Sequence, residues 1–124
     1  MLDADDLRFA YRGGPEYRFT MSAAPGEVTA VTGASGSGKS TLLDLIAGFL
    51  VPTAGTLTLD GRNLVPLPPE DRPISILFQS ESLFDHLTAG RNVALGLPAG
   101  TPKPDVRRRV EAALGEVGLA GLSD

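Results

Sequence analysis

The run Gly33-Ala34-Ser35-Gly36-Ser37-Gly38-Lys39-Ser40 fits the pattern G-x-x-x-x-G-K-[ST] at every fixed position. No other stretch constrains the fold as strongly. A chance match is on the order of 10⁻⁴ or less per starting position, given ordinary glycine usage. The pattern requires a particular frame: a strand entering a tight glycine loop, and a helix leaving it. Val28-Thr29-Ala30-Val31-Thr32 is short and mostly β-branched, comes after the turn signal Pro25-Gly26, and reads as a buried strand. Lys39 to Ala47 reads as a helix with Leu42, Leu43, Leu45, Ile46 and Ala47 as a broad apolar surface, and Gly48 stands where such a helix stops, ahead of Pro52. Glycines let the backbone close around phosphate oxygens, and successive N–H groups with the helix N-terminus supply positive potential. In this chemistry Lys39 reaches the β- and γ-phosphates and Ser40 offers its hydroxyl to Mg²⁺. Ser35, Ser37 and Thr41 add donors around Gly33, Gly36 and Gly38. The plain alternative is a Gly/Ser-rich surface turn that happens to hold a lysine.

Composition narrows the rest. At 124 residues the chain allows one domain at most, and one of this size hides roughly two-thirds of its unfolded surface. The net charge of −4 speaks against nucleic acid as the main partner, since that affinity comes from clustered Lys and Arg. Arg107-Arg108-Arg109 is too short to alter this and suits the solvated face of a helix. Without cysteine, disulfides and thiolate metal sites do not arise. No apolar run approaches the roughly 20 residues that span a bilayer, and the acidic start is unlike a signal peptide, so a soluble, intracellular protein is expected.

Along the chain, Leu7–Tyr11 and Tyr17–Met21 alternate in polarity around Gly13-Gly14-Pro15, as a half-buried hairpin does. Thr56–Leu59 is a further strand running into the turn Asp60-Gly61, and Pro66 to Pro73 is a stiff connection. The apolar run Ile74–Phe78 reads as a buried strand ending at Gln79. Beyond residue 82 the character becomes helical. Thr88 caps a helix running through Val93 and Ala94 toward Gly96, and 98–104 is a linker. A second helix from Asp105 places Val106, Val110, Ala113, Leu114 and Val117 on one face. An α/β fold is therefore expected, with an antiparallel β region and phosphate loop over 1–81 and the start of a helical region over 82–124.

These residues together resemble the ATP-binding subunits of ABC transporters along the whole chain. The stretch Leu42-Leu43-Asp44-Leu45-Ile46-Ala47-Gly48-Phe49 with Pro52, Gly55 and Asp60-Gly61 is similar to the segment after the family's phosphate loop. Arg72-Pro73-Ile74-Ser75-Ile76-Leu77-Phe78-Gln79 is similar to the strand entering its Q-loop, and Leu83-Phe84-Asp85-His86-Leu87-Thr88, with Asn92, to the residues beyond that loop. Within the family the likeness is greatest to the ATPases of bacterial thiamine importers; importers of iron(III), sulfate or polyamines share many of the same residues. The resemblance implies a P-loop NTPase fold, ATP and Mg²⁺ as cofactors, and a homodimer in the complete protein. It further implies transmembrane permease subunits docked through the region after Gln79, and a peripheral place on the cytoplasmic face of the bacterial inner membrane. It gives Tyr11 the role of the aromatic residue that stacks on adenine, with Phe9 and Phe19 as rivals and a packed strand aromatic as the bland reading. It gives Gln79 an approach to Mg²⁺ or the attacking water, against a merely polar strand end. His86, the sole histidine, lies in the loop after Gln79 and is expected to be simply solvated.

The family's signature segment, its acidic strand and its switch histidine have no counterpart in these residues. Leu122-Ser123 begins like the signature, but Asp124 stands where a glycine would come next. Since hydrolysis rests on positioning and charge stabilisation, the chain by itself is expected not to hydrolyse ATP competently, and it reads as the N-terminal portion of a transporter ATPase with an unpaired sheet edge. The competing expectations are a small P-loop kinase, a non-transport ABC protein, and a fragment that binds nucleotide without turnover.

Overall fold

The computed structural model describes residues 1–80 and 82–124, which gather into two compact units, Met1–Leu77 and Phe78–Asp124. The boundary expected after Glu81 falls at the one residue outside the described set.

The first unit is built on a four-stranded antiparallel sheet of order β2-β1-β3-β4, from β1 (Leu2–Ala10), β2 (Glu16–Ala23), β3 (Ala54–Leu59) and β4 (Arg62–Asn63). The expected hairpin is present, with Leu7 opposite Phe19 and Phe9 opposite Tyr17, and Gly14 N–H closing the turn onto the Tyr11 carbonyl at 2.9 Å. Strand β1 begins earlier than the alternation suggests. Ala4 and Leu7 are both buried although three residues apart, which a strict period of two forbids. A bulge resolves the conflict: the register with both neighbours shifts around Asp5–Asp6, and Asp6 takes φ 45°. Opposite the bulge, Gly55 at φ 89° is required twice over, since a Cβ there would lie 2.1 Å from the Asp6 carbonyl oxygen. Asp60 and Gly61, at φ 49° and 81°, make the two-residue connection of β3 to β4 that the Asp-Gly pair announces.

Helix α1 (Lys39–Ala47) has the expected bounds. It leaves the phosphate loop at Gly38 and stops at Gly48 (φ 92°), whose N–H returns to the Asp44 carbonyl at 3.0 Å. Its Leu45 joins Ala4, Leu7, Leu57 and Leu64 in the core, with Phe9, Phe19, Ile46 and Ile74 among the partly buried residues packed around them. Arg72 is also buried, at 6% exposure. It donates from Nη1 to the Leu45 and Ile46 carbonyls (2.7 and 3.0 Å), from Nε to Leu67 (2.9 Å) and from Nη2 to Val65 (3.5 Å). Two of those carbonyls belong to the last turn of α1, where helical partners run out. Burial lowers the guanidinium's pKa from its ordinary value, but arginine remains charged at neutral pH.

Two expected strands are absent. Val28–Thr32 and Ile74–Phe78 form no ladder among the described residues, and Val28 and Leu77 stand 99% and 91% exposed. An apolar, β-branched run makes a strand only when a neighbouring strand receives its N–H and C=O groups, and the four paired strands all belong to the antiparallel sheet.

In the second unit, α2 (Ala89–Ala94) begins at Thr88, whose hydroxyl accepts from Arg91 N–H at 3.2 Å, as expected. Asn92 fastens the preceding loop, accepting from Phe84 N–H at 2.9 Å and donating to the Phe84, Leu87 and Thr88 carbonyls at 3.1–3.3 Å. Helix α3 (Lys103–Glu116) starts two residues before Asp105, with Pro104 in its first turn, where the missing N–H costs nothing. Val110 and Leu114 are buried on the expected face, but Val117 is exposed because the helix ends before it.

Candidate functional site

Glycine decides the shape of the phosphate loop. Gly36 and Gly38 take φ 80° and 98°, a region side chains rarely adopt, and the turn over residues 34–37, with Gly36 inside it, is closed by Ser37 N–H donating to the Ala34 carbonyl at 3.1 Å. The loop then runs directly into α1, with Gly38 as the N-cap and Leu42 N–H making the first helical bond to its carbonyl at 2.9 Å. The remaining first-turn N–H groups and the positive end of the helix dipole stand beside the loop. Lys39 lies along the loop's inside edge. Its ammonium donates to the Gly33 carbonyl at 2.6 Å, the Ala34 carbonyl at 2.8 Å and Ser37 Oγ at 3.4 Å. All three ammonium donors are thus engaged by the loop, and an arriving anion would exchange with these contacts rather than meet a bare cation.

Tyr17, Ser35, Gly36, Gly38, Lys39, Ser40 and Thr41 line a cleft of about 260 Å³. Whole small-molecule sites run to roughly 300–1,000 Å³, so this cleft suits the phosphate chain and leaves a base to lie outside it. Ser40 is exposed at the start of α1, whereas Thr41 is buried, its hydroxyl 3.1 Å from that of Tyr11. Tyr11 is 46% exposed and meets Phe9 edge-on at 4.9 Å. Phe9 and Phe19, the rivals for its role, are partly buried against the core instead.

The lining residue that sequence reasoning overlooked is Tyr17. Its ring lies over Gly38, where a Cβ would come within 2.6 Å of Tyr17 Cδ1, and its hydroxyl donates to the Gly36 carbonyl at 3.3 Å. The alternation of β2, which sets Tyr17, Phe19 and Met21 on one face, is the signal that singles it out.

Gln79 is exposed in a bend at the start of the second unit. His86 is exposed in the loop before α2, edge-on to Phe84 at 5.8 Å. A larger cleft of about 580 Å³ lies within the second unit between α2, α3 and Ser123–Asp124, lined by Arg91, Lys103, Arg107 and Glu111 among others. It holds none of the phosphate-loop residues, and size alone does not make it the reactive site. Among the described residues there is no cluster of three His, Asp or Glu side chains able to hold a metal, and no helix is long and apolar enough to cross a membrane.

Residues 17–124 match the family described as ABC transporter. The thiamine import ATP-binding protein ThiQ of Escherichia coli (strain K12) is 43% identical over 123 residues, which cover 98% of this chain and 53% of that protein. The protein of the same name from Brucella suis biovar 1 (strain 1330) is 45% identical over 117 residues, covering 94% and 48%. Among solved structures, cbiO1 from Clostridium perfringens, described as part of the ABC transporter complex cbiONQ, is similar with a TM-score of 0.82 at 30% identity, over 99% of this chain and 52% of that one. The chain therefore spans about half the length of these relatives. Motif, loop, helix and sheet agree with a match that takes in the whole phosphate loop, and the chain belongs to the ABC transporter family.

Proposed function

We propose that the chain binds ATP with Mg²⁺ at the phosphate loop and supplies the nucleotide-binding half of a subunit that drives solute import, with thiamine as the solute. The observation that carries this reading is the loop itself: positive-φ glycines at 36 and 38, a helix start, and the Lys39 ammonium drawn along one small cleft. The triphosphate takes the cleft, with Lys39 exchanging its carbonyl contacts for β- and γ-phosphate oxygens, and the N–H groups around Gly33, Ser35, Gly36 and Gly38 with the Ser37 hydroxyl supply further donors to the chain of phosphates, while Ser37 N–H closes the turn onto Ala34. The half-exposed Tyr11 ring offers a face for adenine.

The chemistry of the donor set fits Mg²⁺. This ion keeps several waters and is commonly held through substrate phosphates with few protein ligands, so a lone Ser40 hydroxyl at the loop's end suffices without a carboxylate cluster. When bound, the ion neutralises charge on the β- and γ-oxygens. Gln79 is assigned to sense that ion or the attacking water in the complete subunit. There, two copies would close over ATP at the cytoplasmic face of the cell membrane and hand the nucleotide state to permease subunits through the region after Gln79. Thiamine is supported by the names of the relatives alone.

The test is equilibrium binding of a fluorescent ATP analogue with Mg²⁺, with Lys39→Ala as the control. A charge-assisted hydrogen bond contributes about 1.5–3 kcal/mol, so the substitution weakens binding roughly 10- to 100-fold. Equal binding by both proteins refutes the site. Uptake of labelled thiamine by cells carrying the complete subunit tests the solute, and transport of iron(III), sulfate or a polyamine in its place refutes thiamine.

A further inference from the structure

We propose that Tyr17 is a positioning residue of the phosphate loop, holding the Gly36–Ser37 peptide and the Gly38 cap in the geometry that receives phosphate. The inference rests on the nucleotide reading above but concerns a residue outside the phosphate-loop motif.

The Gly36–Ser37 peptide is held at both ends. Its N–H donates to the Ala34 carbonyl at 3.1 Å, and its carbonyl accepts from the Tyr17 hydroxyl at 3.3 Å. A peptide plane so fixed cannot rotate its carbonyl into the cleft, where an oxygen would repel a phosphate. One residue on, the Tyr17 ring fills the space beside Gly38 so closely that a Cβ would stand 2.6 Å from Cδ1 and 2.9 Å from Cε1, with Phe19 Cζ at 3.2 Å. Tyr17 and Phe19 lie parallel, 4° apart in plane with centroids 6.3 Å apart, and Tyr11 meets Tyr17 edge-on at 6.5 Å. The ring is therefore wedged between Phe19 of β2, Tyr11 just beyond β1, and the loop, and β2 is itself anchored by seven registered pairs with β1. A stiff strand thus braces a loop that glycine makes floppy. Loop glycines lose the most conformational freedom on ordering, so a brace formed before the ligand arrives reduces what binding must pay in entropy.

Tyr17→Phe isolates the hydroxyl, since the ring over Gly38 remains. At 3.3 Å the lost bond is a weak one, so the expected effect is a roughly two- to fivefold loss of affinity. Three readouts are taken on the full chain. Hydrogen exchange without nucleotide should quicken at Ser37 and Gly38 while the amides of β1 and β3 keep their rates. Affinity should fall by the same factor for ATP and for inorganic tripolyphosphate, because the brace acts on phosphate geometry. The melting temperature should stay at the wild-type value, which separates a positioning role from general loosening. Unchanged exchange at Ser37 overturns the proposal. Loss of ATP affinity with tripolyphosphate unaffected also overturns it, because Tyr17 would then touch the base or sugar directly. Failure of the nucleotide reading looks different: wild-type chain would bind neither ligand in a Lys39-dependent way, while the exchange readout still decides the brace. A second variant, Tyr17→Leu, should quicken exchange further by removing the ring; exchange slower than in Tyr17→Phe counts against the wedge.

Discussion

Replacing Arg72 by methionine removes the guanidinium while keeping most of the apolar stem, and the structure sets the size of the result. Three donor contacts of 2.7–3.0 Å disappear, to the carbonyls of Leu45, Ile46 and Leu67, along with a longer one to Val65. A hydrogen bond to a charged group contributes about 1.5–3 kcal/mol, but the sum overstates the loss because the buried cation's own desolvation penalty vanishes with it. The remainder is the cost of polar oxygens left without a partner at the end of α1, about 1–3 kcal/mol each where water cannot enter. With two such carbonyls on α1 and partial wetting, a net loss of about 2–4 kcal/mol is expected. For a unit of 77 residues this corresponds to a fall of roughly 10–25 °C in melting temperature. Urea denaturation followed by circular dichroism measures it, and the midpoint should drop with the slope unchanged. Arg72→Lys should recover only a minor part, because one ammonium cannot replace a planar fork that reaches α1 and the 65–67 segment together. A methionine variant within about 0.5 kcal/mol of wild type refutes the claim that Arg72 caps α1. A fully stable lysine variant shows that charge alone does the task.

Backbone geometry sets the outcome of two further substitutions, and charge that of a third. Gly55→Ala and Gly61→Ala both place a methyl group at φ above 80°, yet only the first drives Cβ into backbone, 2.1 Å from the Asp6 oxygen. The first should therefore cost about 3 kcal/mol or more and the second about 1–2 kcal/mol; equal losses in denaturant melts would dismiss the bulge as the cause. Asp6 is held below the usual carboxylate range, first by the hydrogen bond from Arg8 and then by the nearby Arg18 charge. Its contribution is present in full above its unfolded pKa near about 4 and is lost as pH falls through its lower folded value. Asp6→Asn keeps a residue that tolerates φ 45° and removes the titration, so the wild-type advantage over it should shrink below about pH 4. An advantage independent of pH from 2 to 6 would mean that the ion pairs at Asp6 contribute nothing.

The features legible in the sequence are those whose cause is local. Gly38, Gly48 and Asp60-Gly61 mark places where φ must turn positive, so the phosphate loop, both ends of α1 and the β3–β4 turn can be read from the residues themselves. Thr88, a hydroxyl residue at the cap position, marks the start of α2 just as locally. Residues 28–32 and 74–78 favour strands on equally sound apolar grounds, but a strand exists only through a neighbour, and no such pairing occurs among the described residues. The β1 bulge lies between these cases: the Asp5-Asp6 pair hides the register by displacing the buried position from 6 to 7.

Arg72 and Tyr17 show a different kind of illegibility. Each donates to main-chain carbonyls beside a glycine turn, and in each the side chain occupies the space that the glycine leaves open. A Cβ on Gly48 would lie 2.7 Å from Arg72 Nε, as one on Gly38 would lie 2.6 Å from Tyr17 Cδ1. The two glycines are thus needed once for φ and again for room, and only the first need can be read locally. This double requirement separates them from Gly36 and Gly61, which share the positive φ but have no atom within 4 Å of the added Cβ. Residues with left-handed preference can therefore serve at the open positions and not at the braced ones. Asparagine, which tolerates positive φ, should be accepted at 61 with a small loss and rejected at 48, where Arg72 would have to leave the α1 carbonyls. Tolerance at Gly48 equal to that at Gly61, measured by urea midpoint, would show that φ alone fixes these glycines and that the bracing side chains adapt around them.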